Sequence, residues 1–378
     1  MNIVPPTKLN KHKLQHAEQI LATGAAKHAF VGSVALVTRH GRIALHSANG
    51  FAALFPNRER MRTSTLFDLA SVTKVVATTT SIMILIEERK LGLDQRVGEI
   101  LASFSKEPAR TIRVKHLLTH TSGLLAWSNF YTRHHDQRSI VDEIGKSTKL
   151  ISRPGTKATY SDLDFIVLGS IVEEAGGHRL DRFSSQRIFQ PLGMHDTCFN
   201  PTPSKDGVAA TEFSNWRYRF IRGEVHDENA AATDGVSGHA GLFSTARDLT
   251  IFCRMILNGG IYAGTRILSK KSVKHMTTNQ TQQLQSYFGL GWWIKTTGTP
   301  HVGQHLSSKA FGHNGYTGTS IWIDPTYALS IVLLTNRIHP VREGLPDRDG
   351  SVGIMMDRKL TWSNVQQQFH NAVISAMR

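Results

Sequence analysis

The apolar positions change their period twice along the chain. Gly32-Ser-Val-Ala-Leu-Val-Thr and Arg42-Ile-Ala-Leu-His read as two β-strands around His40-Gly41, a hairpin signal, and residues 10–22 before them read as a helix with polar faces. From Ser71 to Leu91 the pattern is that of a strong helix, with Gly92 placed to close it. Residues 93 to 284 read as mostly helical with Gly, Pro and Ser punctuation. They include a helix from Ile166 to Ala175 ended by Gly176-Gly177, and another from Leu249 to Leu257 ended by Gly259-Gly260. Strand character returns in Thr319-Ser-Ile-Trp-Ile-Asp and Ala328-Leu-Ser-Ile-Val-Leu-Leu-Thr, separated by a turn at Pro325-Thr-Tyr, and a helix from Trp362 to Met377 follows. Strands at both ends and helices between them predict an α/β (α+β) fold: one antiparallel sheet built from both ends of the chain, with a helical insertion. The expected single domain, 1–378, has an α/β part from 1–67 and 285–378 and a helical part from 68–284.

Composition narrows the class. With 40% hydrophobic and 19% charged residues over 378 positions, the chain has the material for a large core, which excludes wholesale disorder. Two cysteines, Cys198 and Cys253, are too few for a disulfide scaffold and lack zinc spacing, so they read as buried thiols, with a single bridge left open. The longest apolar runs, Ile82 to Ile86 and Ile331 to Leu334, are far short of the roughly 18 residues a membrane-spanning helix needs. The start has basic residues but no apolar segment of the secretory kind, so the chain as written reads as cytoplasmic; a truncated start would leave a periplasmic or cell-envelope location open. Forty-four Lys and Arg against 29 Asp and Glu give a formal charge of +15. The basic runs Lys8, Lys11, Lys13 and Lys270, Lys271, Lys274 read as solvated helix faces. With no nucleic-acid motif and no basic–aromatic interleaving, no nucleic-acid partner is expected. The expected partner is a small-molecule or peptide substrate, with no cofactor and no metal; oligomeric state is not legible.

Three short stretches carry candidate chemistry. Ser71-Val-Thr-Lys74 places a hydroxyl and an amine on one helix face, at a helix start that favours developing negative charge. A serine needs a neighbouring base to become a nucleophile, and a lysine serves if its environment lowers its pKa. The same letters fit a serine N-cap with a solvated lysine. They also recur in Ser103-Phe-Ser-Lys106, which reads as a surface loop. Tyr160-Ser-Asp162 precedes the helix Ile166 to Ala175; a phenol near an ammonium can be held as phenolate and accept a proton, or the stretch is a core aromatic before an Asp N-cap. His313-Asn-Gly315 leads into a strong strand, where a glycine admits close approach of a substrate backbone. Lys90-Leu-Gly92, Lys205-Asp-Gly207, His239-Ala-Gly241 and His301-Val-Gly303 share the last pattern but lead into no such strand.

The order of these motifs resembles the serine β-lactamase and penicillin-binding-protein superfamily, in the tyrosine version found in class C β-lactamases, D,D-peptidases and related esterases. Leu66-Phe-Asp-Leu-Ala-Ser-Val-Thr-Lys74, His116-Leu-Leu-Thr-His-Thr-Ser-Gly-Leu124, Gly238-His-Ala-Gly-Leu-Phe-Ser-Thr245 and Phe311-Gly-His-Asn-Gly-Tyr-Thr-Gly-Thr-Ser320 extend the likeness over nearly the whole chain. The resemblance implies an antiparallel sheet flanked by helices, a helical subdomain, and a site between them. It implies Ser71 as acylating nucleophile and Lys74 and Tyr160 as proton relay. It further implies the backbone N–H groups of Ser71 and Tyr316 as oxyanion hole, and His313, Asn314 and Gly315 along the substrate. The implied activity is that of a serine hydrolase on an ester or amide, of carboxylesterase or D-Ala peptidase type. The alternatives are a β-lactamase proper or a non-catalytic binding protein on the same fold. Class C enzymes carry an amide where this chain has Asp162 and a lysine where it has His313. An ionised Asp162 can pair with Lys74 and keep it cationic, which moves the base role toward Tyr160. A neutral His313 holds a carboxylate less well than lysine, and Arg337 is a candidate replacement charge.

Overall fold

The computed structural model describes residues 9–147, 149–202, 207–299, 301–339 and 360–377; Lys8 and Lys205 lie outside them. Seven antiparallel strands form the main sheet. They are β1 (Gly32–Arg39), β2 (Arg42–Ala53), β3 (Glu59–Arg60), β4 (Trp293–Ile294), β5 (Phe311–Asn314), β6 (Ser320–Asp324) and β7 (Leu329–Thr335). Their order across the sheet is β4-β5-β6-β7-β1-β2-β3, so the two ends of the chain meet where β7 pairs with β1. The β1–β2 turn has both His40 and Gly41 at positive φ, the backbone a tight hairpin requires.

Alternation along the strands sorts two cores. Val34 and Leu36 of β1 lie across from Leu334 and Val332 of β7 and face the large core shared with the helical part. Ala35, Val37, Ile331 and Leu333 face the other way, against α1 (Lys11–Ala26) and the last helix, Trp362–Ser375. The sheet is therefore buried on both faces, which accounts for the nearly continuous apolar runs in β1 and β7.

The region from 68 to 284 holds most of the helices among the described residues, including those at Val114–Leu118, Gln137–Ser147, Leu180–Ser184 and Lys270–Met276. Its helices α2 (Thr80–Glu87), α3 (Asp162–Gly176) and α4 (Ala246–Leu257) are embedded in long loops and short strand pairs, among them Phe67–Asp68 and Cys198–Phe199 on either side of Leu242–Ser244. The expected Ser71–Leu91 helix is built differently. A 3-10 turn, Ala70–Val72, leads through a wider π-type stretch, Lys74–Thr79, into α2. It closes at Arg89 rather than Gly92: Arg89 has φ +60°, and the Lys90 N–H reaches back to the Leu85 carbonyl at 2.9 Å. Taken whole, Ala70–Glu87 is long and apolar enough to cross a membrane by composition, which corrects the expectation that no stretch reaches that length; 83% of it is buried in the protein interior. Both cysteines are free thiols, Cys253 buried but Cys198 only half-buried.

The end of β5 is seated on the segment that leads into Ser71. Thr317 and Thr319 hydroxyls donate to the Asp68 and Leu69 carbonyls, each at 2.8 Å. A Cβ on Gly315 would meet the Leu69 carbonyl oxygen at 2.4 Å and Thr319 Oγ1 at 2.3 Å, so only glycine lets the two segments approach this closely. Gly315→Ala is expected to lower the unfolding free energy by about 1–3 kcal/mol, read from urea denaturation, because the Leu69 carbonyl is backbone and cannot rotate away.

Candidate active site

Ser71 and Lys74 meet as the spacing predicts, but neither is a solvated helix-end residue. Ser71 makes no capping bond, and Lys74 is fully buried. The Lys74 ammonium donates to Ser71 Oγ at 2.8 Å, Asp162 Oδ1 at 2.7 Å and the His239 carbonyl at 3.2 Å. Burial alone would pull the lysine pKa down. The Asp162 carboxylate, with help from Tyr160, outweighs that effect and leaves it raised, so Lys74 is a cation at neutral pH.

Asp162 is held by the start of α3. The N-cap is Ser161, not Asp162: its Oγ accepts the Asp164 N–H at 3.3 Å and donates to the Leu125 carbonyl at 2.6 Å. This leaves the Asp162 side chain free to turn toward Lys74 in the first turn, where the helix dipole also favours a carboxylate.

Tyr160 stands beside the pair, with the Lys74 ammonium 5.0 Å from its ring centre and both Lys74 and Ser71 near enough to favour its phenolate. Burial pushes the phenol pKa up against the opposing pull of Lys74. The backbone around it is clamped by His120, which motif reading passed over. The His120 carbonyl accepts the Thr159 N–H at 2.8 Å, its Nδ1 accepts the Ser161 N–H at 3.2 Å, and its ring lies 4.7 Å from the Tyr160 ring. Asp164 Oδ2 is 3.0 Å from the same Nδ1, and Ser122 donates to Asp164 Oδ1. Burial drives the Asp164 carboxyl well up and the His120 imidazole well down, so the two stand as a neutral acid and a neutral ring.

His313 points into the site but is fully buried. Its Nδ1–H donates to the Asn314 carbonyl at 2.8 Å, and burial followed by the Lys74 charge lowers its pKa to about 3, so it is uncharged. Asn314 corrects the expectation that its side chain lines the substrate. Its Oδ1 accepts from Trp322 Nε1 at 3.0 Å and Gln366 Nε2 at 3.1 Å, on the opposite face of the strand. Gly315 lies where the strand meets Leu69, and Tyr316 lines the cleft beyond it. Arg337 Nε donates to the Tyr316 carbonyl at 2.8 Å, and its guanidinium lies over the Tyr316 ring. The second S-x-x-K match is inert: Lys106 is exposed, whereas Ser103 is buried in a 3-10 turn, not on the expected surface loop.

A cleft of ≈ 270 Å³ opens on Ser71, lined by Trp127, Asp162, His226, Asp227, His239 and Tyr316 among others. His239, set aside as a weak glycine-motif match, supplies the carbonyl that binds Lys74; its ring bonds Asp227 at 2.8 Å and Ser237 at 2.9 Å. Burial opposes the Asp227 charge, yet His239 holds that carboxylate well below its ordinary range. Buried Asp68 accepts the Ala70 N–H at 2.8 Å and the His226 N–H at 2.6 Å, and so fixes Ala70 at φ +46° directly before the serine.

A profile of the Beta-lactamase family matches residues 17–352. The chain belongs to the β-lactamase family. Among the curated β-lactamase-family relatives, the N-acetylmuramyl-L-alanine amidase of Bacillus subtilis (strain 168) is 33% identical, over 89% of this chain and 86% of that protein. A putative D-alanyl-D-alanine carboxypeptidase of Escherichia coli (strain K12) is 36% identical, over 73% and 70% respectively. Of solved structures, a penicillin-binding-protein homologue from Caulobacter crescentus superposes with a TM-score of 0.74 at 18% identity, covering 100% of this chain and 99% of that one. EstCE1, a hydrolase with promiscuous acyltransferase activity, gives 0.73 at 24% identity, covering 96% and 99%. The fold and the family's chemistry agree, and the protein is a hydrolase of this family.

Three outcomes follow from the β-lactamase-family site as built here. Asp162→Asn removes the charge that outweighs burial, so the Lys74 side-chain carbon resonances are expected to titrate at lower pH than in the unmutated protein. His120→Ala is expected to lower kcat on a p-nitrophenyl ester by roughly 10²-fold with KM little changed, since it misplaces Tyr160 without touching the ester. Asp164→Asn, which still offers an N–H to Nδ1, is expected to cost less than Asp164→Leu.

Proposed function

We propose that this protein cleaves an ester or amide through an acyl-enzyme on Ser71, with Tyr160 as the proton acceptor. The observation that carries the reading is the ammonium of Lys74, 2.8 Å from Ser71 Oγ. An ammonium has only hydrogens to offer and no lone pair, so the serine proton must go elsewhere. The Tyr160 oxygen is the neighbour able to take it, and the adjacent cation lowers the cost of the phenolate.

Ser71 Oγ bonds to the substrate carbonyl carbon as its proton passes to Tyr160. The backbone N–H groups of Ser71 and Tyr316 carry the developing oxyanion. The C–N or C–O bond then breaks, and Tyr160 returns the proton to the departing amine or alcohol. Water attacks the acyl carbon, Tyr160 takes its proton, and Ser71 leaves with that proton restored. The site suits an amidase or esterase better than a carboxypeptidase or a β-lactamase proper. His313 is buried and neutral, so it supplies no charge for a substrate carboxylate. A D-alanyl carboxypeptidase is the second reading, favoured by the Escherichia coli relative.

The test is an intact-mass measurement after a p-nitrophenyl butyrate quench, with the adduct mapped by peptide digestion. A butyryl adduct on the Ser71 peptide is expected, with turnover falling by about 10³-fold or more in Ser71→Ala. Turnover that survives that change would reject the reading. The Tyr160 pKa is raised, so the phenolate fraction and kcat/KM should climb with pH from neutral to about pH 9, the ordinary tyrosine value being about 10. A plateau already reached at neutral pH would exclude Tyr160 as the base. Release of D-alanine from a D-Ala-D-Ala peptide at a rate matching the best ester would favour the second reading.

A further inference from the structure

The chain as a whole is strongly basic, at +15, but the cleft beside Ser71 is not. Among the described residues that line it are three carboxylates, Asp162, Asp227 and Glu228, and no lysine or arginine. Two of the three are already answered. Asp162 pairs with Lys74 at 2.7 Å, while Asp227 bonds the His239 ring at 2.8 Å and accepts the Ala230 N–H at 2.8 Å. Glu228, the next residue, is half-buried, and among the described residues its carboxylate takes no hydrogen bond and joins no ion pair. Arg217 lies behind it but gives its hydrogens to the Val225 and His226 carbonyls and to Glu224. The His226 ring, on the same lining, is taken by Glu212 at 2.6 Å. Trp127 also lines this cleft and is 46% exposed. Glu228 and Trp127 are tied together from behind. Buried Asn229, directly after Glu228, donates to the carbonyl of Ser128, directly after Trp127, at 2.9 Å and accepts the Tyr131 N–H at 3.0 Å. One residue thus holds an exposed indole and an unpaired carboxylate beside each other at the cleft.

An indole and a carboxylate side by side select positive charge. The electron-rich ring face attracts a cation, and the carboxylate supplies the opposite charge. A neutral substrate that covers the cleft would strip water from Glu228 and return nothing for it. An anionic substrate would be repelled. Resting on the acyl-enzyme reading above, we infer that Trp127 and Glu228 form a seat for a cationic nitrogen, so that the preferred substrate is an ester or amide carrying an ammonium group close to its scissile carbonyl. Glu228 sets specificity through binding and takes no part in proton transfer. The same chemistry serves a cation borne by the acyl group or by the leaving group, and the experiment separates the two.

The experiment sets each cationic ester against its uncharged carbon isostere and reads the ratio of their kcat/KM values. Butyrylcholine and 3,3-dimethylbutyl butyrate place the difference on the alcohol. The p-nitrophenyl esters of 4-(trimethylammonio)butyrate and 5,5-dimethylhexanoate place it on the acyl group. In at least one pair the unmutated protein is expected to favour the cation by about tenfold. Glu228→Gln keeps the shape of the side chain and removes its charge, and is expected to bring that ratio most of the way to one. Trp127→Leu is expected to lower the ratio more than Trp127→Phe, which keeps a ring face, and carries the test if Glu228→Gln does not fold by circular dichroism. A ratio near one in both pairs, a ratio that neither Glu228→Gln nor Trp127→Leu changes, or faster turnover of mono-p-nitrophenyl glutarate, whose acyl group ends in a carboxylate, than of its cationic counterpart would each overturn the seat. Any of these results with the butyryl adduct still forming on Ser71 would reject the seat and leave the hydrolase reading standing; loss of that adduct as well would reject both.

Discussion

A buried ammonium fixes the rest of this site. Lys74 lies in the apolar interior of the molecule, and a lone charge there would be expelled or neutralised. It is retained because Asp162, the His239 carbonyl and Ser71 each take one of its hydrogens. Three chain segments must converge for that to happen. The start of α3 must present Asp162, the loop at His239 must turn its carbonyl inward, and the turn at Ala70 must bring Ser71 over the lysine. The nucleophile's position is thus a by-product of charge satisfaction, and chemistry and folding draw on one network.

That network explains why a second layer of polar residues surrounds the first. Asp68 holds the backbone on either side of the cleft, through Ala70 and His226. His120 holds the backbone on either side of Tyr160. Neither needs to touch a substrate. Each removes freedom from a group that does, and a fixed arrangement of charges and dipoles avoids reorganisation during the reaction.

The parts of the structure visible in the sequence are those written in local order. The hairpin at His40-Gly41, the strands that became β6 and β7, and the i, i+3 pair Ser71 and Lys74 are all short-range patterns. Asn314 was misplaced along the substrate with His313, although neighbours in a strand face opposite sides and one of the two side chains had to leave the site. The end of the first core helix at Arg89 was not legible, because a left-handed arginine is a tertiary accommodation and Gly92 was the better local signal. His120, Asp164 and Asp68 act through partners far along the chain, and no local spacing marks such residues. His239 shared its glycine pattern with Lys90 and His301, and the atom by which it binds Lys74 is its carbonyl, which has no side-chain signature.

The pairing of β1 with β7 has a consequence for biosynthesis. As the polypeptide leaves the ribosome, the serine, the lysine and the phenol are all made well before β5, β6 and β7. Until those late strands dock, nothing holds Thr317 and Thr319 against the Asp68 and Leu69 carbonyls, and β1 lacks its inner neighbour. A nascent chain halted before that point holds Ser71, Lys74 and Tyr160 but lacks the strands against which the Ser71 segment is seated.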